Sequence, residues 1–247
     1  MNERIQVGFS QRIRLEWIER TAALVLAGYE RKEIQGALQE LLKDRLSVGG
    51  TAERGNREKA ITILLKIWVS PPARLRSLRD DGLDLLRRML SEQHLAVHWG
   101  MTIAVYPFVA LVAEAVGRLL RLQDSVSLSQ IQRRLREQLG ERETVARAAR
   151  RVVRCFIDWG VLQETSRKGV YRAAPVREIK DEKLAAWVIE ATLVAGGADA
   201  YPLLQLVSSP VLFPFSLGTV APYVVEVNGR LCLYRQGLDE DMVMLKA

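Results

Sequence analysis

The chain has 247 residues, a mass of 27.9 kDa and a formal net charge of +7. This length is enough for one large domain or for two modules of roughly 100–150 residues each. Apolar residues make up 49% of it and charged residues 26%, proportions that exclude a disordered chain. The two cysteines, Cys155 and Cys232, are too few for a disulfide scaffold or a cysteine-based zinc site.

Helical periodicity dominates the first 122 residues of the chain. The opening residues 1–4 lack the basic-then-apolar layout of a signal peptide, so we expect a cytoplasmic protein. Apolar residues spaced three or four apart then predict four helices in succession. We expect them at about 11–27, ended by Gly28; around Ile34–Leu42, ended by Gly49-Gly50; around Ala60–Trp68, capped by Thr51 or a neighbour and ended by Pro71-Pro72; and from Asp80 to Leu90.

A long apolar segment, Leu95–Leu122, is almost uninterrupted between His98 and Ala113. Pro107 and Glu114 leave the apolar run short of the roughly 20 residues that a bilayer requires. We therefore expect the central buried helix of a bundle, kinked or started near Pro107, and no membrane span.

A second module is expected from about residue 123 to residue 174. Ser127 and Gln130 have capping-box spacing at the start of one helix, and a longer helix follows over about Glu141–Trp159. Two short apolar runs around the turn Ser166–Gly169 then predict a hairpin. A helix, a turn, a second helix and a hairpin in this order are typical of a winged helix-turn-helix.

The tail from Pro175 is expected to form a small α+β extension. Apolar patterns predict a helix over Glu182–Ala195 and a shorter one near Tyr201–Val207. Asn228-Gly229 between two apolar runs predicts a two-residue hairpin turn of type I′. The sequence leaves open which module this extension packs against.

Basic residues are concentrated between Arg118 and Arg172. Thirteen basic and six acidic residues lie in this span, so it holds a net charge of +7 and the rest of the chain sums to zero. This concentration favours a polyanion-binding surface over general solubility. The alternative is an ordinary solvated helical face.

The helix predicted over Glu141–Trp159 has arginines on one side. Counted at 100° per residue, four of them share a sector of about 100°. They are Arg147, Arg150, Arg151 and Arg154. The apolar residues on the opposite side are Val145, Ala149, Val152 and Phe156. Because guanidinium groups can grip a phosphate or a guanine edge bidentately, we predict a DNA-recognition helix.

Two neighbouring basic pairs extend this prediction. Arg167 and Lys168, in the predicted hairpin turn, are placed to reach an adjacent phosphate or the minor groove. Arg133 and Arg134, on the preceding helix, are expected to add contacts to the DNA backbone, the alternative being that they are simply solvated.

Motifs for catalysis or metal binding are weak. His94 and His98 have the spacing of two zinc ligands on a helix, but Leu95 replaces the catalytic Glu of the metalloprotease motif and the chain contains only two His. Phosphate-loop, dinucleotide and nucleophile-elbow signatures do not occur in the sequence. We therefore expect neither a metal nor another cofactor, and no enzymatic activity.

An all-helical first half, a long apolar helix and an Arg-rich helix precede FIDWGVLQET (156–165), which leads into the predicted hairpin. In this layout the chain resembles the BrxA family, small accessory proteins of BREX phage-defence systems. The resemblance covers about 51–174, with SSPVLFPF (208–215) as a further match, and this chain is longer at its C-terminus. It implies a non-enzymatic DNA-binding component of antiviral defence, with a NusB-like helical half and a winged-helix half.

Together these patterns predict a mainly α protein of three parts. They are a helical bundle (1–122), a winged helix-turn-helix (123–174) and an α+β extension (175–247). The expected partner is double-stranded DNA, with other defence proteins and a second copy of the chain as further candidates, and no membrane. Two alternatives are an RNA-binding NusB-like factor and an adaptor whose arginines bind an acidic protein.

Overall fold

The computed structural model describes residues 7–46, 55–237 and 240–246. Over these ranges the protein is mainly helical, with three small sheets. The helices are α1 (Leu15–Leu26), α2 (Arg31–Leu41), α3 (Asn56–Trp68), α4 (Arg76–Arg88), α5 (His94–Val105), α6 (Pro107–Leu120), α7 (Leu128–Leu139), α8 (Glu143–Asp158), α9 (Glu182–Gly196), α10 (Leu203–Val207) and α11 (Pro222–Glu226). The strands are β1 (Val126–Ser127), β2 (Leu162–Glu164), β3 (Val170–Ala173), β4 (Arg177–Glu178), β5 (Ala200–Pro202), β6 (Phe215–Ser216), β7 (Leu231–Gln236) and β8 (Glu240–Leu245).

The first four predicted helices are present, with some shifted ends. α1 ends two residues before Gly28, whose φ of +81° is a conformation that favours glycine. α3 has Gly55 as its N-cap and ends at Trp68, ahead of Pro71-Pro72. The predicted turn at Gly49-Gly50 and the predicted cap at Thr51 lie outside the described residues.

The fourth helix, α4, begins earlier in the chain than the sequence predicts. It runs from Arg76 to Arg88, so the expectation of a helix from Asp80 to Leu90 is displaced toward the N-terminus. Leu90 lies beyond the helix and is 69% exposed. The apolar spacing of Leu90 therefore fitted the pattern without contributing to the core.

The apolar segment Leu95–Leu122 folds as two helices. α5 ends at Val105 and α6 has Pro107 in its first turn, where the missing proline N–H is not needed. The expected start of a helix near Pro107 is confirmed, and because the chain bends by 117° there, a single kinked helix does not form. Eleven of the twelve residues of α5 are buried. Within the described ranges no single helix is long and apolar enough to cross a bilayer, and this bent pair alone passes by length and composition.

The helix α9, the first of the C-terminal extension, packs directly against α5 and α4. Trp187, on α9, donates its indole N–H to the carbonyl oxygen of Leu78 over 2.9 Å. Its ring lies so close to Gly100 on α5 that a Cβ there would stand 2.5 Å from a ring carbon. The extension therefore supplies part of the core of the preceding helices, which the sequence left open.

An aromatic cluster connects α5 with α8 and with the C-terminal extension. The Trp99 ring of α5 lies 4.8 Å from that of Phe156 and 5.5 Å from that of Phe213, measured between centroids. Trp159, at the end of α8, and Phe215, on β6, pack against the same Trp99 ring. Buried residues of all three predicted parts thus belong to one continuous hydrophobic cluster.

The hairpin predicted at Asn228-Gly229 is wrong. The preceding apolar run forms α11, with Pro222 in its first turn. Neither residue of the pair has the positive φ that a type I′ turn requires, and the Asn228 side chain donates to the Glu190 carboxylate over 2.6 Å. β7 pairs instead with the following strand, β8, and Gly237, with a φ of +70°, lies between the two strands.

A buried ionic network fastens this extension to the helices. Glu190, on α9, is only 3% exposed and accepts hydrogen bonds from Arg230 Nε (2.9 Å) and Nη2 (2.7 Å). Arg230 Nη1 reaches Asp81 of α4 at 2.7 Å. These hydrogen bonds raise the pKa of Arg230, the bond to Glu190 most strongly, so the guanidinium remains charged.

Candidate nucleic-acid interface

The helix α8 has one buried face and one exposed basic face. Its apolar side is fully buried, including the four residues that the sequence assigns to the core: Val145, Ala149, Val152 and Phe156. On the opposite side Arg147, Arg150 and Arg154 are exposed and Arg151 is partly exposed. The helical-wheel prediction for this element is therefore confirmed. We refer to these four arginines as the arginine strip.

Three members of the arginine strip have no acidic partner in the structure. The side chains of Arg150, Arg151 and Arg154 make no ion pair or hydrogen bond with the described part of the chain. Arg147 forms one ion pair, with Glu143 one turn earlier, at 3.4 Å. Because both groups of that pair are more than half exposed, it contributes little to stability and can be exchanged for another anion.

The helix α7 precedes α8 and is held against it. The predicted capping box is present: the Gln130 N–H donates to Ser127 Oγ, and the Ser127 N–H donates to Gln130 Oε1. The Gln132 side-chain amide donates to the Ala146 carbonyl oxygen of α8 over 2.9 Å. These bonds fix the entry of α7 and its contact with α8.

The predicted basic pair on α7 is more neutralised than the arginine strip. Arg133 and Arg134 both lie near Glu137, at 3.9 and 3.5 Å. All three side chains are at least half exposed. Their net contribution to the surface is thus one positive charge.

The hairpin formed by β2 and β3 presents two further cations. The strands pair antiparallel in the predicted place, and β1 adds to the other side of β3. The turn is closed by Thr165 Oγ1, which accepts from the Arg167 N–H, and by Gly169, whose φ is +78°. Arg167 and Lys168 are exposed, and their side chains make no ion pair within the described ranges.

The hairpin lies beside the arginine strip. Burial raises the pKa of Tyr171 on β3, and the charge of Glu164 adds to the rise. The positive charges of Arg154 and Arg150 act in the opposite direction on the pKa of the same hydroxyl. β2 packs directly against α8, so the hairpin adjoins the helix that carries the arginine strip.

The predicted first helix was expected to start at about residue 11, but α1 begins at Leu15, and the preceding non-helical residues border α8. Residues 7–14 run along the C-terminal end of α8, where the Ile13 N–H donates to Cys155 Sγ (3.1 Å) and the Trp159 indole N–H donates to the Ile13 carbonyl oxygen (2.9 Å). Arg12 binds Asp158 bidentately. No local pattern could predict these contacts, because the paired residues lie 142 to 146 positions apart.

The two histidines are a structural pair. His98 is buried, its ring packs edge-on against Trp68 (5.5 Å between centroids) and against His94 (6.4 Å). Burial, with a smaller effect of the His94 charge, lowers the pKa of His98 to about 3. Among the residues that the structure describes, no three His, Cys, Asp or Glu side chains are placed to hold a metal ion together.

The free cysteines differ in their surroundings. Cys155 is fully buried on α8, and this burial raises the pKa of its thiol to about 12. A thiol with such a pKa remains protonated at neutral pH and is a poor nucleophile. Cys232 is partly exposed on β7, far along the chain from the arginine strip.

Comparison with known proteins gives no match. The chain matches no protein-family model, no curated protein and no solved structure.

Proposed function

We propose that this chain is a non-enzymatic DNA-binding protein that grips duplex DNA with α8 and with the β2–β3 hairpin. In this proposal residues 123–174 act as a winged helix-turn-helix. The order β1, α7, α8, β2, β3, and a sheet in which β3 lies between β1 and β2, are those expected of that motif and support the proposal.

The observation that carries the proposal is the unpaired charge on α8. Arg150, Arg151 and Arg154 share one exposed face without an acidic partner in the described chain. Keeping three like charges on one face costs electrostatic free energy, so their presence favours a polyanionic ligand that offsets it. Each guanidinium can bind a phosphate or a guanine edge through two parallel hydrogen bonds.

The placement of the hairpin supports a duplex as the ligand. The arginine strip extends over eight residues of α8, from Arg147 to Arg154, and seven rises of 1.5 Å separate its ends by about 10 Å. An α-helix fits the major groove of B-DNA, while Arg167 and Lys168 in the adjacent turn are placed for the neighbouring backbone. In this arrangement the helix contacts base edges while the hairpin contacts phosphates of the same duplex.

The biological setting of the proposal comes from the family resemblance. We place the chain as an accessory component of a BREX-like phage-defence system in the bacterial cytoplasm. The NusB-like bundle of residues 1–122 would then serve as the scaffold that meets other defence proteins. Enzymatic activity is not part of this proposal.

The experiment that tests the proposal is a salt titration of binding to three ligands. Fluorescence anisotropy is measured with a duplex DNA of about 20 base pairs, with an RNA hairpin and with an acidic peptide. If four phosphates are neutralised, the log–log salt slope for duplex DNA should be near −3.6, at about −0.9 per phosphate.

The three ligands separate the proposal from its alternatives. Tightest binding to the duplex, with a steep salt slope, supports DNA as the ligand. Tighter binding to the RNA would replace DNA by the RNA-binding alternative. Binding to the acidic peptide alone would favour a protein-interaction adaptor.

A further inference from the structure

Asp158 interrupts the basic face of α8. Counted at 100° per residue from Arg147, it lies at 20°, between the directions of Arg147 and Arg151 and one turn beyond Arg154. A carboxylate at this place would repel the phosphates that the arginine strip attracts. Its side chain is nevertheless only 17% exposed, because Arg12 from the N-terminal segment covers it.

The Arg12 guanidinium neutralises Asp158 and keeps one nitrogen free. Nε donates to Oδ2 and Nη2 donates to Oδ1, both at 2.5 Å, in a parallel two-bond arrangement. Nη1 makes no hydrogen bond with the described part of the chain, and the Arg12 side chain remains 43% exposed. The pair therefore exposes the Arg12 guanidinium edge to solvent at a position where α8 alone would expose the Asp158 carboxylate.

The position of Arg12 is fixed before any ligand arrives. The next residue, Ile13, is tied to α8 through both its N–H and its carbonyl oxygen, and its side chain is fully buried. Phe9, earlier in the same segment, is also fully buried. Little conformational entropy is left for Arg12 to lose when it binds, which favours a contribution to affinity.

We infer that Arg12 belongs to the nucleic-acid-binding surface: it cancels the charge of Asp158 and contacts, through Nη1, a phosphate next to the one that Arg154 grips. The inference rests on the proposed function and extends it to a residue of the helical part. The N-terminal segment then acts as a basic edge of the recognition helix. Its ligand is the sugar–phosphate backbone, so the contact is independent of base sequence.

The test uses the full chain with Arg12→Gln, Asp158→Asn and the double variant, each titrated with the same duplex. R12Q should bind about tenfold more weakly, with a salt slope reduced by about 0.9, since one phosphate contact is lost and a carboxylate is uncovered. D158N should bind about threefold more tightly, because a negative charge beside the phosphates is removed. The double variant should recover affinity relative to R12Q but keep the reduced slope.

An exposed Arg–Asp pair elsewhere in the protein provides a control of equal charge. Arg87 and Asp84 lie on α4, 3.0 Å apart and both more than half exposed. R87Q and D84N change the net charge of the protein by the same amounts as R12Q and D158N. They should leave the affinity and the salt slope unchanged if position, and not net charge, matters.

The outcomes distinguish this inference from the proposed function. R12Q with unchanged affinity and slope, while replacement of Arg147, Arg151 and Arg154 abolishes binding, would overturn the role of Arg12 alone. If R12Q does not fold, the test depends on D158N. Duplex binding by D158N that is no tighter than binding by the unmodified chain would then overturn the inference. Absence of duplex binding by the unmodified chain would overturn the proposed function itself.

Discussion

Arg230 and Glu190 form two hydrogen bonds, of 2.9 and 2.7 Å, across the junction between the C-terminal extension and the central helices. Glu190 is almost fully buried, so its charge depends on this partner for compensation. The pair shows that the extension is bound to the core by a specific ionic contact as well as by apolar burial.

Replacing Arg230 by Met is expected to lower the free energy of unfolding by about 3 kcal/mol, because the Glu190 carboxylate then stays buried without its cation. Urea denaturation measures this loss. Asp81→Asn is the control, since Asp81 is the more exposed partner of Arg230 and its loss should cost less than about 1 kcal/mol. Equal stability of the two variants would contradict the assigned role of the buried pair.

Changing Arg147, Arg151 and Arg154 together to Ala should weaken duplex binding by several kcal/mol at most and leave folding intact. Their side chains lie opposite the buried face of α8, so their removal opens no cavity. Each lost phosphate contact should reduce the salt slope by about 0.9. If one arginine reads a guanine, discrimination at that base pair should relax by roughly 1–3 kcal/mol.

The control for this triple variant replaces three exposed arginines elsewhere. Arg20, Arg74 and Arg76 are exposed and form no ion pair with the described part of the chain. The same loss of three charges there should have a much smaller effect on binding. Unchanged affinity of the α8 variant would mean that α8 is not the recognition helix, and an unfolded variant would mean that its arginines are needed for the core.

Phe156→Ala should lower the free energy of unfolding by about 3–5 kcal/mol, because Phe156 is fully buried and its removal leaves a cavity. The ring is lost from contacts with Trp99, Trp159 and Phe213 at centroid distances of 4.8 to 5.9 Å. Thermal and urea unfolding measure the effect. Arg154→Ala, two residues earlier on the exposed side, should change stability by less than about 0.5 kcal/mol.

Stability should fall as the pH decreases below 6.5. The pKa of His98 is about 3 in the folded protein against 6.5 when it is unfolded, so between these values the unfolded state binds the proton and the folded state does not. This group alone lowers the free energy of unfolding by up to about 1.4 kcal/mol per pH unit in that window. Urea midpoints at pH 7.5 and 5.0 measure it, and His98→Phe should remove this part of the dependence.

Gly100→Ala should lower the free energy of unfolding by about 1–3 kcal/mol through overpacking. The added Cβ would stand 2.5 Å from the Trp187 ring and 3.2 Å from the Ala191 Cβ. Gly36→Ala on α2 is the matched control, because nothing lies within 4 Å of its Cβ position. That second change should stabilise the protein by about 0.5–1 kcal/mol, since alanine is the better helix former. Two variants of equal stability would contradict the close packing of α9 on α5.

Local signals account for what the sequence predicted well. The capping box at Ser127 and Gln130, the apolar face of α8 and the glycine turn of the hairpin each depend on residues only a few positions apart. Such patterns can be recognised in the sequence, because the spacing of apolar residues indicates both the helix or strand and the face that it buries. The exposure of the arginine strip could be predicted in the same way, since the solvent-exposed face of a helix lies opposite its buried apolar face.

Long-range contacts explain what the sequence did not reveal. Asn228 has a strong turn propensity, but its side chain is hydrogen-bonded to Glu190, 38 positions earlier in the chain. This long-range contact outweighs the local preference for a hairpin turn. Arg12 lies in a segment without a recognisable motif, and its pairing with Asp158 is what distinguishes it. Proline at position 107 indicated a break, but the 117° between α5 and α6 depends on what each helix packs against.

The path of residues 7–14 affects how the protein forms during synthesis. This segment is translated before its partners Cys155 and Trp159, which follow Ile13 by 142 and 146 positions. At about 5–20 residues per second, roughly 7–30 s pass between the synthesis of Ile13 and that of its partners at the end of α8. Residues 7–14 can therefore dock on α8 only after it has been made, and during that interval the Ile13 side chain is available to chaperones.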